Sequence, residues 1–217
     1  MTRLADCYRL LKRRLYVSGK TERAIVDDFH RLYHQVGRIK GGHITWRGRP
    51  VAQNPMDLLA IAGIIYKSSL DWKTVIEVGT GEGGSAKFWH AAGADYVYTI
   101  DRFPPKKAFA PGVEFVHGDS MRNAPGAYNV AVVILDGDHH YQTVYDELCF
   151  YAPRVIIGGY LIVCDTHFNG HPIAPEFGPG PWEAVEAFLA ERDDFVRDYD
   201  VQPLFTFNPG GYLRRVK

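Results

Sequence analysis

Beyond residue 72 the chain alternates short, nearly continuous apolar runs with stretches of helical period. The runs occupy 74–78, 96–100, 113–116, 130–135 and 160–164. A run without polar alternation suits a strand covered on both faces, as in a parallel sheet. Helical periods lie between them at 84–91, 141–151 and 181–191. Strand and helix signals in alternation predict an α/β, doubly wound domain. The tail carries further runs at 195–201, 204–207 and 212–216, with Asn-Pro-Gly-Gly at 208–211. These predict strands joined by a tight turn, an antiparallel ending on the parallel sheet.

The N-terminal part is patterned differently. Leu4, Cys7, Leu11 and Leu15 form one helical stripe, with Arg and Lys opposite. A second helix is expected from the Thr21 cap, burying Ile25, Phe29, Leu32 and Tyr33. A basic, glycine-rich loop follows over 37–50. Asn54-Pro55 then reads as N-cap and first turn of a helix carrying Leu58, Leu59, Ile61 and Ile64. The expected organisation is a helical, basic extension over 1–53 and a Rossmann-like domain over 54–217.

Charge sharpens that division. The 217 residues hold 25 Lys and Arg against 25 Asp and Glu. The balance hides an asymmetry: residues 1–50 carry a net +8, 51–200 a net −11, and the last 17 residues +3. The basic segment reads as a surface that docks on its own acidic body or on a neighbouring subunit. Phosphorylated substrates, anionic lipid and nucleic acid are the other readings. Apolar residues at 46% and aromatics at 13% exclude a disordered chain. Zero net charge argues against a polycationic nucleic-acid binder. Three cysteines, Cys7, Cys149 and Cys164, make no disulfide framework. The N-terminus lacks the apolar core of a signal peptide, and no apolar stretch is long enough to span a bilayer. A reducing, cytoplasmic setting is expected.

In a doubly wound sheet, ligands sit beyond the carboxyl ends of the strands. After the first run comes Glu77-Val-Gly79-Thr80-Gly81-Glu-Gly83-Gly84-Ser85. Glycines there permit a sharp turn and a close ligand approach, and the next helix N-terminus offers free N–H groups. Gly79-x-Gly81-x-x-Gly84 matches a dinucleotide fingerprint, a weak signal alone. After the second run stands Asp101, twenty residues past Gly81, where a carboxylate can accept both hydroxyl protons of a ribose. After the third comes Gly118-Asp119-Ser120, where the acid can take an adenine amino group or cap a helix.

The fourth run ends in Leu135-Asp136-Gly137-Asp138-His139-His140. Carboxylates at a strand end suit a hard divalent cation such as Mg²⁺, and a neighbouring histidine suits general-base work near neutral pH. The fifth run ends in Cys164-Asp165-Thr166-His167, so Asp165 is expected to face Asp136 across adjacent strand ends. A Pro- and Gly-rich loop follows and suggests a shaped lid. In it, His167, Asn169 and His171 either touch substrate or stabilise the loop. Trp46, Arg47, Phe168 and Phe207 either line an acceptor site or belong to the core.

Together these residues resemble a class I S-adenosylmethionine-dependent methyltransferase. More narrowly, residues 44–216 resemble the family that groups cephalosporin hydroxylase-type proteins with rhamnosyl O-methyltransferases, related to the macrocin O-methyltransferase type. The resemblance rests on Thr45-Trp46-x-Gly48, Gln53-x-Pro55-x-Asp57, Glu77-x-Gly79, Leu135-Asp136-x-Asp138-His139, Asp165-Thr166, Asn169-Gly170-His171-Pro172, Gly178-Pro179-Gly180-Pro181 and Gly211-Tyr212-Leu213. It implies a mostly parallel seven-stranded Rossmann-like sheet with an antiparallel C-terminal strand and an N-terminal helical extension. It implies that Glu77, Gly79, Thr80, Gly81 and Ser85 hold the methionine part of S-adenosylmethionine. Asp101 would bind the ribose, and Asp119 with Ser120 the adenine, with Asp136 also beside the cofactor. Asp136 and Asp165 would ligate Mg²⁺, and His139 would deprotonate the acceptor. The implied enzyme is a homo-oligomer acting on a small hydroxylated molecule: a sugar, polyketide or other secondary metabolite. It needs neither nucleic acid nor membrane. One position departs from the family: an acidic residue often precedes the aspartate matched to Asp165, and here it is Cys164. A thiol is a poor Mg²⁺ ligand. The competing readings are a nicotinamide-dependent oxidoreductase, which shares the glycine loop and Asp101, and a non-methylating relative on the same scaffold.

Overall fold

A computed structural model describes residues 21–40 and 44–217. The expected stripe of Leu4, Cys7, Leu11 and Leu15 lies outside the described residues. The chain divides into two compact units, 1–42 and 43–217. In the first, helix α1 (Glu22–Lys40) begins as expected, with Ala24 N donating to Thr21 Oγ1 at 3.2 Å. Ile25, Phe29 and Tyr33 are half-buried, but Leu32 is 62% exposed and His30 is the buried residue of this stretch. Leu32 therefore falls outside the buried stripe expected of it. His30, one residue beyond Phe29, lies edge-on to that ring.

The second unit opens with a hairpin that the basic loop conceals. Strands β1 (Ile44–Trp46) and β2 (Arg49–Val51) pair antiparallel across Arg47-Gly48, both with positive φ, as a two-residue hairpin turn requires. The hairpin falls within the unit 43–217. Helix α2 (Pro55–Lys67) starts as predicted, the Asn54 side chain accepting from Met56 N with Pro55 in the first turn. Leu58, Ile61, Ile64 and Ile65 face inward, whereas Leu59 is exposed.

The main sheet has seven strands in the order β5-β4-β3-β6-β7-β9-β8. They are β3 (Thr74–Val78), β4 (Tyr96–Asp101), β5 (Val113–His117), β6 (Val130–Leu135), β7 (Val155–Val163), β8 (Phe195–Arg197) and β9 (Tyr212–Arg215). The strands from β5 through β7 run parallel; β9 is antiparallel to both β7 and β8. Helices α3 (Gly84–Ala91), α4 (Tyr141–Tyr151) and α5 (Pro181–Glu191) occupy the predicted spans. Every residue of β3 and β6 is buried, the property the uninterrupted apolar runs foretell. Two apolar clusters cover the faces: one joins β6 and β7 to α4 and α5, the other joins β3 and β6 to α2 and α3.

Two expectations at the C-terminal side are corrected. Strand β7 starts at Val155, five residues early, because Gly158 (φ 83°) and a register shift against β6 break the apolar pattern. Residues 204–207 form no strand, and 208–211 is not a hairpin turn between them and β9. Their backbone groups are taken by side chains instead: Phe205 O accepts from Asn54 Nδ2, Phe207 N donates to Asp57 Oδ2, and Phe207 O faces His167 Nδ1 at 2.7 Å. Asp57 Oδ1 also accepts from Thr206 Oγ1 and Tyr212 OH, so one buried carboxylate gathers the segment before β9 onto α2.

Candidate active site

The carboxyl ends of the parallel strands open into a cavity of about 850 Å³. One wall is the turn from β3 into α3. Gly79 has φ 92°, and a Cβ there would meet the carbonyl oxygen of Asp136 at 2.0 Å, so only glycine lets the two strand ends approach this closely. Gly83, left-handed at φ 75°, caps α3, whose buried Ser85 also faces the cavity. Asp101, at the end of β4, braces this turn: its Oδ2 accepts from Thr80 N at 3.0 Å and Gly81 N at 3.1 Å, and its Oδ1 from Phe103 N. Thr80, Gly81, Asp101 and Ser120 all line the cavity.

Glu77 stands apart. It is fully buried beneath the turn, accepting from Trp89 Nε1 and Thr99 Oγ1 at 2.7 Å each, and it does not line the cavity. Burial raises its carboxyl to about 7 despite those bonds. Asp119 is likewise turned away. Its Oδ1 accepts from Met121 N and Arg122 N, capping the turn after β5, and its Oδ2 lies 3.4 Å from Arg102. Asp138 performs a similar local task, accepting from His140 N and Nδ1, while His140 stacks on Phe177.

Asp136, His139 and Asp165 converge where β6 and β7 end. One ligand atom from each lies within 4.8 Å of the others. His139 Nε2 is 3.2 Å from Asp165 Oδ2, and His167 Nδ1 is 3.6 Å from Asp165 Oδ1. Asp165 adopts a left-handed backbone (φ 54°), rare for a residue with a Cβ, and its N–H donates to Asn208 Oδ1 at 2.9 Å. Burial drives both carboxyls upward; Asp165 adds to the effect on Asp136, and Asp57 to that on Asp165. Among the described residues, no Lys or Arg pairs with either. Burial pushes the His139 imidazole down, opposed by Asp136 and Asp138, and so favours its proton-accepting form. A cleft holding two mutually repelling carboxyls and one imidazole is chemically suited to a divalent cation and to proton abstraction.

Three residues without a role from sequence reasoning complete the walls. Gln53, between β2 and α2, donates its Nε2 to Asp136 Oδ2 at 3.1 Å and to Cys164 Sγ at 3.6 Å, while its buried Oε1 has no partner. Its place in the Gln53-x-Pro55-x-Asp57 string was the only signal. Asp57 organises the opposite wall through Thr206, Phe207 and Tyr212. Glu147, a buried acid on α4, accepts from Ser120 Oγ at 2.5 Å.

The Pro- and Gly-rich loop after β7, expected as a lid, contributes no residue of 166–180 to the cavity lining and is held by the start of α5. Glu183 Oε1 faces Asn169 Nδ2 at 2.9 Å and His171 Nε2 at 3.0 Å, its Oε2 accepts from Gly180 N, and His171 stacks on Trp182. Asn169 and His171 therefore stabilise the loop and do not line the cavity. Phe168 packs edge-on against His139, and Phe207 lines the cavity; Trp46 packs on Phe88 with Arg47 over its ring.

The sequence model of a family described as rhamnosyl O-methyltransferase/CmcI matches residues 113–216. The chain is 31% identical over 213 residues to the rhamnosyl O-methyltransferase of Mycobacterium tuberculosis (strain H37Rv), covering 88% of this chain and 85% of that protein. Identity to the rhamnosyl O-methyltransferase of Mycobacterium leprae (strain TN) is 31% over 225 residues, covering 92% and 95%. A solved CmcI structure with SAH superposes with a TM-score of 0.57 at 18% identity, over 79% of this chain and 81% of that one.

Proposed function

The chain belongs to the rhamnosyl O-methyltransferase/CmcI family and is an S-adenosylmethionine-dependent O-methyltransferase; from that premise we propose that it methylates a sugar hydroxyl, with Mg²⁺ at Asp136 and Asp165 and with His139 as the base. The observation that carries this reading is the convergence of Asp136, His139 and Asp165 beside a glycine turn braced by Asp101.

The residues fit each group. The Gly79–Gly81 turn and Ser85 line the part of the cavity suited to the methionine moiety, with Asp101 at the ribose hydroxyls. S-adenosylmethionine supplies the methyl group, transferred in line from sulfur to oxygen. A divalent cation held by two otherwise uncompensated carboxyls would orient a hydroxyl and lower its pKa. His139 takes the hydroxyl proton on its imidazole, and its edge contact with Phe168 fixes the ring. The imidazolium of His139 would later return the proton to solvent, leaving the sulfur electron pair with the departing S-adenosylhomocysteine. Much of the acceleration comes from alignment of the reacting groups.

The rest of the cavity wall includes Ala52, Gln53, Asn54, Phe207 and Asn208, and among the described residues Arg102 is the only Lys or Arg that lines it. That lining suits an uncharged polyhydroxylated acceptor over a phosphorylated one. The relatives' names make a rhamnosyl hydroxyl the first candidate. The basic first 53 residues are the proposed place for subunit contacts or an acceptor-specific cap. Among the described residues, no helix is long and apolar enough to cross a membrane.

The test is methyl transfer from labelled S-adenosylmethionine to a panel of rhamnosides, other glycosides, macrolides and catechols, with Mg²⁺ or with EDTA. Label on a rhamnoside hydroxyl that disappears with EDTA is the expected result. Transfer that is indifferent to EDTA overturns the metal assignment. Binding of the cofactor without transfer to any acceptor favours the non-methylating reading.

A further inference from the structure

With the ribose at Asp101 on the end of β4, as proposed above, the neighbouring strand end with cavity-lining residues is that of β5, which offers Gly118 and Ser120 to the base. Asp119 is the acid the sequence offers there. Its carboxylate, however, is engaged on both oxygens, by Met121 N and Arg122 N on one and by Arg102 on the other, and it does not line the cavity. Gly118 and Ser120, its neighbours, do.

The acid that does line the cavity at this end comes from α4. Glu147 is 2% exposed, and its Oε1 accepts from Ser120 Oγ at 2.5 Å. Its Oε2 is buried and has no hydrogen-bond partner among the described residues. A buried carboxylate oxygen without a donor is unfavourable. The carboxyl is correspondingly raised to about 7, by burial first and by Asp138 and Asp119 after it. Ser120 is itself fixed, since its carbonyl accepts from Tyr151 OH, on the same helix as Glu147. The pair is thus a rigid acceptor with one oxygen occupied and the other in need of a donor.

We propose that Glu147, oriented by Ser120, receives the exocyclic amine of the cofactor's adenine and so selects adenine over other bases, the role the sequence suggests for Asp119. The inference rests on the use of an adenosyl cofactor. A carboxylate oxygen favours an amine and repels a carbonyl at the same ring position. A neutral glutamine would accept either, by turning its amide.

Isothermal titration of the full chain with S-adenosylhomocysteine and with its deaminated analogue, S-inosylhomocysteine, tests this. The wild type is expected to prefer the adenosyl ligand by about tenfold or more, the worth of one hydrogen bond to a charged group. Glu147→Gln brings the two affinities to near parity. Glu147→Leu weakens the adenosyl ligand about tenfold and the inosyl ligand less. Asp119→Asn shifts both alike. The proposal is overturned if the wild type shows no preference, if both Glu147 variants keep it, or if Asp119→Asn abolishes it. Urea denaturation checks folding, and the near-isosteric Glu147→Gln decides the matter if the Leu variant does not fold. Failure of the wild type to bind either ligand removes the methyltransferase reading and this inference together, whereas binding without discrimination removes only the inference.

Discussion

His139 Nε2 and Asp165 Oδ2 lie 3.2 Å apart, so the proposed base and one proposed metal ligand are immediate neighbours. In the proposed roles, the proton acceptor and the oxygen-orienting carboxylate would therefore act on one point in space. Replacing His139 by Ala should lower kcat by about 10²–10⁴-fold and leave S-adenosylhomocysteine affinity unchanged. Steady-state kinetics beside calorimetry separates the two; unchanged turnover would remove His139 from the chemistry.

Asp101 holds two amides of the glycine turn as well as facing the proposed ribose site. Asp101→Ala should weaken S-adenosylhomocysteine binding by roughly 10–100-fold, the loss of charge-assisted hydrogen bonds. Calorimetry at fixed salt measures it, and affinity equal to wild type would sink the ribose assignment.

The cation assignment predicts a stability effect independent of turnover. Mg²⁺ at a hundredfold excess over its Kd should stabilise the fold by about 2.7 kcal/mol, seen as a rise in Tm that EDTA reverses. Asp136→Asn should abolish the rise. A wild-type Tm indifferent to Mg²⁺, Mn²⁺ and EDTA alike would argue that Asp136 and Asp165 hold no metal.

Glu77 should make the protein less stable as pH rises. Its carboxyl is lifted from an ordinary 4.5 to about 7 in the fold. The protonated form is thus favoured by folding: the contribution is complete below 4.5, declines between 4.5 and 7 and is absent above. The change is on the order of 3 kcal/mol. Glu77→Gln keeps an acceptor for Trp89 and lets the Thr99 hydroxyl turn, so urea denaturation at pH 5 and pH 8 should give a flatter profile than wild type. An identical profile in both proteins would place the titration elsewhere.

Much of the fold is legible because its strands carry no polar alternation and its helices do. The spans 74–78, 130–135, 84–91, 141–151 and 181–191 reappear in the structure as strands or helices with those bounds. The hairpin at 44–51 was hidden by its arginines, since Arg49 buries its side chain against the carbonyls of Glu82, Lys107 and Ala108 although its sequence neighbours read as solvated. The segment 204–207 has strand composition, but Asn54, Asp57 and His167 reach its backbone first. In the site, acids at strand ends were visible because topology gives such positions meaning. Glu147 was not, because one acid within an amphipathic helix looks like any solvated residue. Nor does sequence distinguish an acid that faces the cavity from one, such as Asp119, that caps its own turn.

The carboxylate of Asp57 joins residues some 150 positions apart, binding Thr206 and Phe207 to the start of α2. The two halves of the cavity thus have different histories along the chain. The cofactor half is built from consecutive strand–helix units between 74 and 147, whereas the opposite wall exists only after the tail returns to residue 57. Loop closure over that length makes such a wall late to form during folding. It also makes the wall separable: changes at Phe207 and Asn208, which line the cavity, can reshape its opposite wall while the proposed methyl-donor side, with Gly79, Asp101 and Asp136, keeps its geometry.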